Sequence, residues 1–196
     1  LLDTLDAVLR VLKLESGVVE LHPEPVDLSA LAATPVEALQ SMTERQDVHL
    51  EFDPNGTPVQ AHVDPGATER IVEELVRNAI DFSETGDRAR VTVRHSPGTA
   101  RFTVEATGVG MDAEHLDQLF RPFEQASVGQ DRTHEGTGLG LTVTHRLVHL
   151  MNGSIEIESE QGVGPRVVVT FPSPKASDSV PASRASESRT PTADQS

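Results

Sequence analysis

Two pairs of short segments with alternating apolar side chains constrain the fold of this chain more than any other feature. The pairs are residues 90–95 with 100–106 and residues 154–159 with 166–171, and each pair is joined by a short connection that contains glycine. Alternation with a period of two is typical of half-buried strands, and short glycine-containing connections favour antiparallel hairpins. The chain is therefore predicted to form a sheet that includes two antiparallel hairpins.

Three other segments carry the helical period of three to four residues. They cover residues 28–46, 65–82 and about 139–151, and Pro35 is placed to bend the first helix or to break it in two. Two short strands are predicted between the first two helices, at residues 48–52 and 59–63. This order of elements predicts an α+β domain, a two-layer α/β sandwich with helices on one face of a mixed sheet.

The two ends of the chain differ from the middle. Residues 1–16 predict an amphipathic helix whose apolar face is too wide for one helix to bury, so it either packs on its own domain or bundles with partner helices. From Ser173 onward Ser, Ala, Thr and Pro dominate, and no apolar period remains. We therefore expect a helix at 1–17, a folded domain at 18–172 and a disordered tail at 173–196.

The charge and composition of the chain limit the classes of partner that it can bind. The formal net charge is −15, and the charges of residues 173–196 cancel, so the whole excess lies in residues 1–172. Nucleic-acid binding depends on Lys and Arg that neutralise phosphates, so we expect no nucleic-acid partner. The chain has no cysteine, which fits a reducing cytosol and rules out thiolate metal sites. No apolar run approaches the roughly 20 residues of a membrane span.

Glu74 and Asn78 on the second predicted helix are four residues apart and therefore share a face. An Asn amide oxygen can complete the octahedral shell of Mg²⁺ beside triphosphate oxygens and water. A Glu one turn earlier can orient or deprotonate a nucleophile. Taken alone, the same pair is also typical of a solvated helix face.

Two glycine-rich segments follow along the chain. The first contains Gly108 and Gly110, which allow a backbone to approach a ligand closely. The second, residues 136–141, opens the third helix, where N–H groups and the helix dipole suit a phosphate chain. Its spacing differs from that of a dinucleotide-binding loop, and a P-loop is excluded because the only lysines are Lys13 and Lys175.

His145 and His149 share one face of the third helix at the spacing of metal ligands. They lack the Glu of the zinc-protease motif and any evident third ligand. The sequence therefore favours a structural role for both histidines.

In their order and spacing, four segments resemble the N, G1, F and G2 boxes of sensor histidine kinases; they are residues 78–83, 108–111, 119–125 and 136–141. Histidine kinases share this ATP-binding domain, the Bergerat fold, with gyrase, Hsp90 and MutL. Residues 147–159 resemble the closing helix and strand of the kinases, and residues 14–17 resemble the end of their dimerisation hairpin. The resemblance spans residues 1–172, with 1–17 as the end of the dimerisation helix.

The resemblance implies a catalytic domain that binds ATP and Mg²⁺. Asn78 would ligate the magnesium ion, Glu74 would act beside it in catalysis, and Gly108 and Gly110 would border the adenine pocket. Further nucleotide contacts are implied for the lid and the phosphate loop, at Phe120, Phe123, Arg132, Gly136, Thr137, Gly138, Leu139 and Gly140. As ordinary parts of the domain, the two Phe residues would be core aromatics and Arg132 a solvated loop charge.

Three features depart from the family pattern. Ala106 stands where the family has the Asp that accepts a hydrogen bond from the adenine amino group, and Glu105 points to the opposite face of its strand. Asp81 stands where most kinases carry a basic residue, so its carboxylate would repel phosphates. None of the eight histidines has the sequence context of a phosphoacceptor, which would lie on a dimerisation helix upstream of Leu1.

The sequence leaves three hypotheses. In the first, the domain transfers the γ-phosphate of Mg-ATP to that histidine for relay to the Asp of a response regulator receiver domain, within a homodimer formed through the dimerisation helices. In the second, favoured by Ala106 and Asp81, it is a kinase-like regulatory module that binds nucleotide weakly or not at all. In the third, favoured by Glu74, it is a gyrase-like or Hsp90-like ATPase. We expect the first, in the cytoplasm, with a membrane reached only through a missing sensor region.

Overall fold

The computed structural model describes residues 20–108, 110, 139–160 and 162–174. Its elements in chain order are β1 Glu24–Asp27, α1 Leu28–Gln46, β2 His49–Asp53, β3 Gln60–Val63, α2 Pro65–Asp81, β4 Arg88–Ser96, β5 Thr99–Ala106, α3 Gly140–Leu150, β6 Ser154–Glu160 and β7 Gly164–Pro172. The N-terminal helix, the lid and most of the tail that the sequence predicts lie outside the described residues.

Five strands form one mixed sheet in the order β2-β4-β5-β7-β6. The edge strand β2 runs parallel to β4, and all other neighbours in this sheet are antiparallel. The two hairpins that the sequence predicts are β4–β5 and β6–β7, and both are confirmed. The predicted class, an α+β sandwich built on a mixed sheet, is confirmed as well.

The core lies between the helices and the inner face of this sheet. Phe102 of β5 and Phe171 of β7 are each 1% exposed, and they belong to the same hydrophobic cluster as Ile71, Leu75 and Ile80 of α2. Fully burying a side chain of this size contributes about 1.5–3 kcal/mol. The apolar stripe of α2 therefore determines which face of that helix packs on the sheet.

The outer face of the sheet carries charged side chains at alternate positions. Ion pairs on this face join Arg90 with Glu51, Arg94 with Asp53, and Arg166 with both Glu105 and Glu158. The exposed fractions of these side chains lie between 41% and 65%, so each pair contributes at most about 1 kcal/mol. The period of two thus sorts the strand residues into an apolar inner face and a charged outer face.

Strand β1 is an element that the sequence does not predict. It pairs antiparallel with β3 in a separate two-stranded sheet, with Val26 opposite Ala61. The carboxylate of Asp27, at the end of β1, accepts hydrogen bonds from Ser29 N and from Val59 N, each at 3.0 Å. Asp27 therefore caps α1 and also ties that helix to the chain segment leading into β3.

Helix α1 continues through Pro35, so the proline does not break it in two. A proline inside a helix removes one hydrogen bond and costs about 3 kcal/mol. Pro35 is itself buried, and the same helix buries apolar side chains on both sides of it, namely Leu28, Ala32, Val36 and Leu39. Their burial offsets the missing hydrogen bond, and one helix results.

Candidate functional site

Helix α2 carries Glu74 and Asn78. Its start is fixed by Asp64, whose Oδ1 accepts a hydrogen bond from Ala67 N at 2.8 Å, and by Pro65 in the first turn. Glu74 and Asn78 then lie one turn apart, and both are partly buried. The two side chains therefore stand where the apolar face of α2 gives way to solvent.

Glu74 is a carboxylate in a poorly solvated position. Burial raises the pKa of its carboxyl group, while the charge of Arg77 and a hydrogen bond from Asn78 act in the opposite direction. That hydrogen bond runs from Asn78 Nδ2 to Glu74 Oε1 at 3.4 Å. A partly buried carboxylate with a raised pKa is the usual state of a group that accepts protons in catalysis.

The first residue of α3 lies against Glu74. A Cβ placed on Gly140 would come within 1.6 Å of Glu74 Oε1, so the carboxylate occupies the space beside the glycine backbone. The preceding residue, Leu139, is fully buried, and its carbonyl accepts a hydrogen bond from Val143 N at 2.9 Å. Residues 74 and 140 are thus brought together at a helix start, where backbone N–H groups lack partners within the helix.

Asp87 anchors the loop that follows β5. Its Oδ1 accepts a hydrogen bond from Thr107 Oγ1 at 2.9 Å, and its Oδ2 accepts one from Glu84 N at 2.6 Å. Thr107 also binds Arg88 twice, donating its N–H to Arg88 O at 2.8 Å and accepting from Arg88 N at 2.9 Å through Oγ1. These contacts fix the position of Thr107, the residue between the end of β5 and Gly108.

Gly108 and Gly110 are required by the backbone and by close packing. Both have positive φ, +146° and +63°, which favours glycine. A Cβ on Gly108 would lie 3.2 Å from Asp87 Oδ2, and one on Gly110 would lie 2.0 Å from Glu160 O. The packing of the domain therefore explains both glycines in part, without any ligand.

Ala106 is 8% exposed and lies on the inner face of β5, the face that also carries Phe102 and Val104. Glu105 projects to the outer face, where its Oε1 accepts a hydrogen bond from Arg166 Nε at 2.8 Å. The alternation expected for this strand is thus confirmed, and Glu105 cannot replace an acceptor on the inner face.

Asp81 is the last residue of α2 and is engaged by a neighbouring helix. Gln46 Nε2, at the end of α1, donates a hydrogen bond to Asp81 Oδ1 at 3.4 Å. This contact draws the carboxylate toward α1.

The structure brings some of the predicted site residues together and leaves others outside its description. Glu74, Asn78 and Gly140 form one cluster with Leu139 beside it, and Ala106, Gly108 and Gly110 follow one another at the end of β5. The predicted site residues outside the described residues are Phe120, Phe123, Arg132, Gly136, Thr137 and Gly138.

Asp87 is the site residue that sequence reasoning missed. It follows Glu84-Thr85-Gly86, and a Gly-Asp pair between a helix and a strand reads as an ordinary turn. Only its two hydrogen bonds, one within the turn and one to Thr107, show that it positions the glycine pair.

Within the described ranges, no group of three or more His, Cys, Asp or Glu side chains is arranged to hold a metal ion. No helix among the same residues combines the length and the apolarity needed to cross a membrane.

Residues 63–175 match the family model described as histidine kinase-, DNA gyrase B-, and HSP90-like ATPase, which covers more than half of the chain. The chain belongs to this ATPase family. The predicted relationship to the ATP-binding domains of histidine kinases is thereby confirmed.

Two curated relatives of this chain are histidine kinases. A sensor-like histidine kinase of Rhizobium meliloti is 32% identical over 173 residues, which cover 88% of this chain and 33% of the relative. Histidine protein kinase DivJ of Caulobacter vibrioides is 33% identical over 172 residues, covering 88% of this chain and 29% of the relative. The chain thus spans about a third of the length of these ATPase-family relatives.

A solved structure agrees with the fold of this family. Full-length ShkA, crystallised in complex with AMPPNP, matches with a TM-score of 0.77 at 24% sequence identity. The match covers 89% of this chain and 36% of that chain.

Proposed function

We propose that this ATPase-family domain is the catalytic domain of a sensor histidine kinase and binds Mg-ATP between α2 and the start of α3. The observation that carries the proposal is that the Glu74 side chain lies against Gly140, in the first turn of α3. Asn78 donates a hydrogen bond to the same Glu74 carboxylate. Oxygen ligands suited to Mg²⁺ thereby stand beside N–H groups suited to phosphate. The family match and the kinase relatives support the same assignment.

The side chains at this place fit a magnesium ion. In the orientation described, the Asn78 amide nitrogen faces Glu74, so the amide oxygen is the atom that would ligate Mg²⁺. Bound Mg²⁺ would neutralise negative charge on the phosphate oxygens. That neutralisation is needed here because the Glu74 carboxylate lies at the helix start that would receive the phosphates.

Glu74 would act on the nucleophile. Because burial raises its pKa, its carboxylate holds a proton more readily than an exposed one, which suits a group that orients or deprotonates an attacking atom. In this proposal a nitrogen of a histidine on a dimerisation helix would attack the γ-phosphorus of ATP, and the bond from that phosphorus to the bridging oxygen would break so that ADP leaves. The phosphoryl group would then pass to the Asp of a response regulator receiver domain, and the kinase would act as a homodimer.

The base of the nucleotide would lie near the end of β5. Gly108 and Gly110 would border it, held in place by Asp87 and Thr107. The side chain of Ala106 offers this pocket a methyl group and no acceptor. Nucleotide affinity is therefore expected to come mainly from the phosphates and the magnesium ion.

The test is a titration with fluorescent ATP and ADP analogues, each with and without Mg²⁺, on the wild type and on Asn78→Ala. We expect Asn78→Ala to weaken Mg-ATP binding far more than magnesium-free ADP binding, because it removes a metal ligand. The matched control is Glu73→Gln, since Glu73 lies on the same helix and its side chain is 48% exposed and paired with Arg77. Equal losses for both nucleotides in a folded Asn78→Ala would contradict the assigned role of Asn78.

A second candidate function is favoured by Ala106. Its buried methyl group replaces the acceptor that the family resemblance implies for the adenine amine. A domain that binds nucleotide too weakly to use it would act as a kinase-like regulatory module. The same titration separates the two, because that module would bind neither nucleotide, with or without Mg²⁺, at millimolar concentrations.

A further inference from the structure

His145 and His149 form a close pair on α3. Their Nε2 atoms are 3.1 Å apart, and their rings meet at 72° with centroids 4.3 Å apart. This distance suits a hydrogen bond between neutral imidazoles, and it is also the spacing of two ligands on one ion. With metal–nitrogen bonds of about 2.0–2.1 Å, nitrogens at neighbouring tetrahedral or octahedral positions lie roughly 2.9–3.4 Å apart.

The backbone under this pair is firmly held. Leu147 and Val148, which lie between the two histidines, are 6% and 0% exposed. Their carbonyl oxygens accept hydrogen bonds from the turn that follows α3, from Met151 N at 3.2 Å and from Gly153 N at 2.9 Å. Met151 Sδ in turn accepts a hydrogen bond from Asp64 N at 3.3 Å, which ties the end of α3 to the start of α2. Ligands on such a support lose little freedom when an ion binds.

The electrostatic surroundings also favour a cation. His149 lies in the last turn of α3, where the helix dipole presents its negative end. The chain as a whole carries a formal charge of −15, which raises the local concentration of cations. The neighbouring Arg146 opposes this attraction, but it is exposed, so solvent screens its charge.

We propose that His145 and His149 form a binding site for a late first-row transition ion such as Ni²⁺ or Zn²⁺. Imidazole nitrogens select these ions over Mg²⁺, which prefers oxygen ligands. The two imidazoles supply two of the ligands, and the described part of the chain supplies no group of three such ligands. The ion bridges one turn of α3 and stabilises the end of that helix, while Glu74 and Gly140 lie at its other end.

The test is calorimetric titration of the full chain, without a purification tag and without nucleotide, with Ni²⁺ and separately with Mg²⁺. We expect one Ni²⁺ per chain and at least tenfold weaker binding in His149→Gln and in His145→Gln. His95→Gln is the matched control, because His95 is an exposed histidine on β4, and we expect it to bind like the wild type. Circular dichroism establishes that each variant is folded, and either of the two pair variants suffices if the other does not fold.

Electron paramagnetic resonance of the Cu²⁺-loaded chain provides a second readout, with hyperfine coupling to two imidazole nitrogens expected in the wild type and lost in both pair variants. Unchanged Ni²⁺ affinity in folded His149→Gln and His145→Gln would overturn the proposal. So would the absence of Ni²⁺ binding by the wild type, or binding of Mg²⁺ that is equally sensitive to these variants. Because no nucleotide is present, none of these outcomes bears on the proposed kinase function.

Discussion

Glu74 combines a negative charge with partial burial, and this combination has a cost in stability. Burial raises the pKa of its carboxyl group in the folded chain. A group with a raised pKa binds protons more tightly when folded, so its favourable contribution is full below the unfolded-state pKa and is lost as the pH rises through the folded-state pKa. At neutral pH the ionised carboxylate therefore makes the domain less stable than an uncharged side chain of the same shape would.

We therefore predict that Glu74→Gln raises the melting temperature at about pH 8 and that this gain shrinks toward about pH 4, where the wild-type carboxyl group is protonated as well. Thermal denaturation across this pH range measures the effect. Glu73→Gln is the control, because Glu73 is about half exposed and pairs with Arg77. A melting temperature of Glu74→Gln at or below the wild type at pH 8 would show that burial of the charge is not destabilising.

Position 106 offers a direct test of base recognition, which depends on the proposed ATP site. We predict that Ala106→Asp tightens ATP binding by roughly tenfold to over a hundredfold, because a hydrogen bond to a charged group contributes about 1.5–3 kcal/mol. GTP binding should hardly change, since guanine presents a carbonyl where adenine presents its amine. Competition titrations with both nucleotides measure the ratio. Tight adenine-selective binding by the wild type would instead show that another group already accepts from the amine.

Residue types at fixed spacings predicted that Glu74, Asn78 and the glycines belong to one nucleotide site. Each type suits a different task there, since Asn can ligate Mg²⁺, Glu can act on a nucleophile and glycines allow close approach of the nucleotide. The contacts among them could not be predicted. Glu74 rests against Gly140 only because α2 and α3 pack together, and sequence spacing carries no information on that packing. Asp87 was missed for the same reason, since its partner Thr107 lies 20 residues further along the chain, just after β5.

At the scale of elements, the start of β7 supports the end of β5. Gly164, with a φ of +106°, packs so closely that a Cβ would lie 1.9 Å from Ala106 O. Gly162, in the turn between β6 and β7, has a φ of +81°, and a Cβ there would meet nothing within 4 Å. Both glycines thus have a positive φ, but only Gly164 is packed so closely that a Cβ would collide with another residue.

We predict that Gly162→Ala costs about 1–2 kcal/mol of unfolding free energy, the usual penalty for a positive φ in a residue with a Cβ. Gly164→Ala should cost clearly more, because its Cβ collides with backbone that has no freedom to move aside. Chemical denaturation of both variants measures the difference. Equal losses would mean that β5 and the start of β7 separate easily, and that Gly164 does not help to hold the glycine pair.

Helices α1, α2 and α3 and both hairpins were predicted from their periods, because each of them sorts apolar from polar residues within a short window. Strand β1 was not, since Glu24-Pro25-Val26-Asp27 offers one apolar residue and no alternation. The partners of β2 and β3 were also beyond prediction. β2 pairs with β4 and β3 with β1, and such choices depend on contacts between segments far apart in sequence.

At the scale of the whole molecule, the fold extends slightly beyond the boundary expected at residue 172. Ser173 N donates a hydrogen bond to Gly98 O at 3.0 Å, which joins the chain after β7 to the turn between β4 and β5. The family match likewise runs to residue 175.

We predict that deleting residues 175–196 leaves the melting temperature and nucleotide binding unchanged, because that segment has no apolar period to bury. Deleting residues 173–196 should cost about 0.5–1.5 kcal/mol, the worth of the lost hydrogen bond from Ser173. Differential scanning calorimetry of the two truncations compares them directly. A large loss on the shorter deletion would assign the tail a structural role.

The edges of the five-stranded sheet have a consequence for the behaviour of the molecule at high concentration. An edge strand with unpaired backbone groups is a template on which another copy can add its own sheet. Here β2 is only five residues long, and β6 carries exposed glutamates at positions 156, 158 and 160. Two copies that approach through β6 bring these carboxylates together, so repulsion resists fusion of their sheets into larger aggregates.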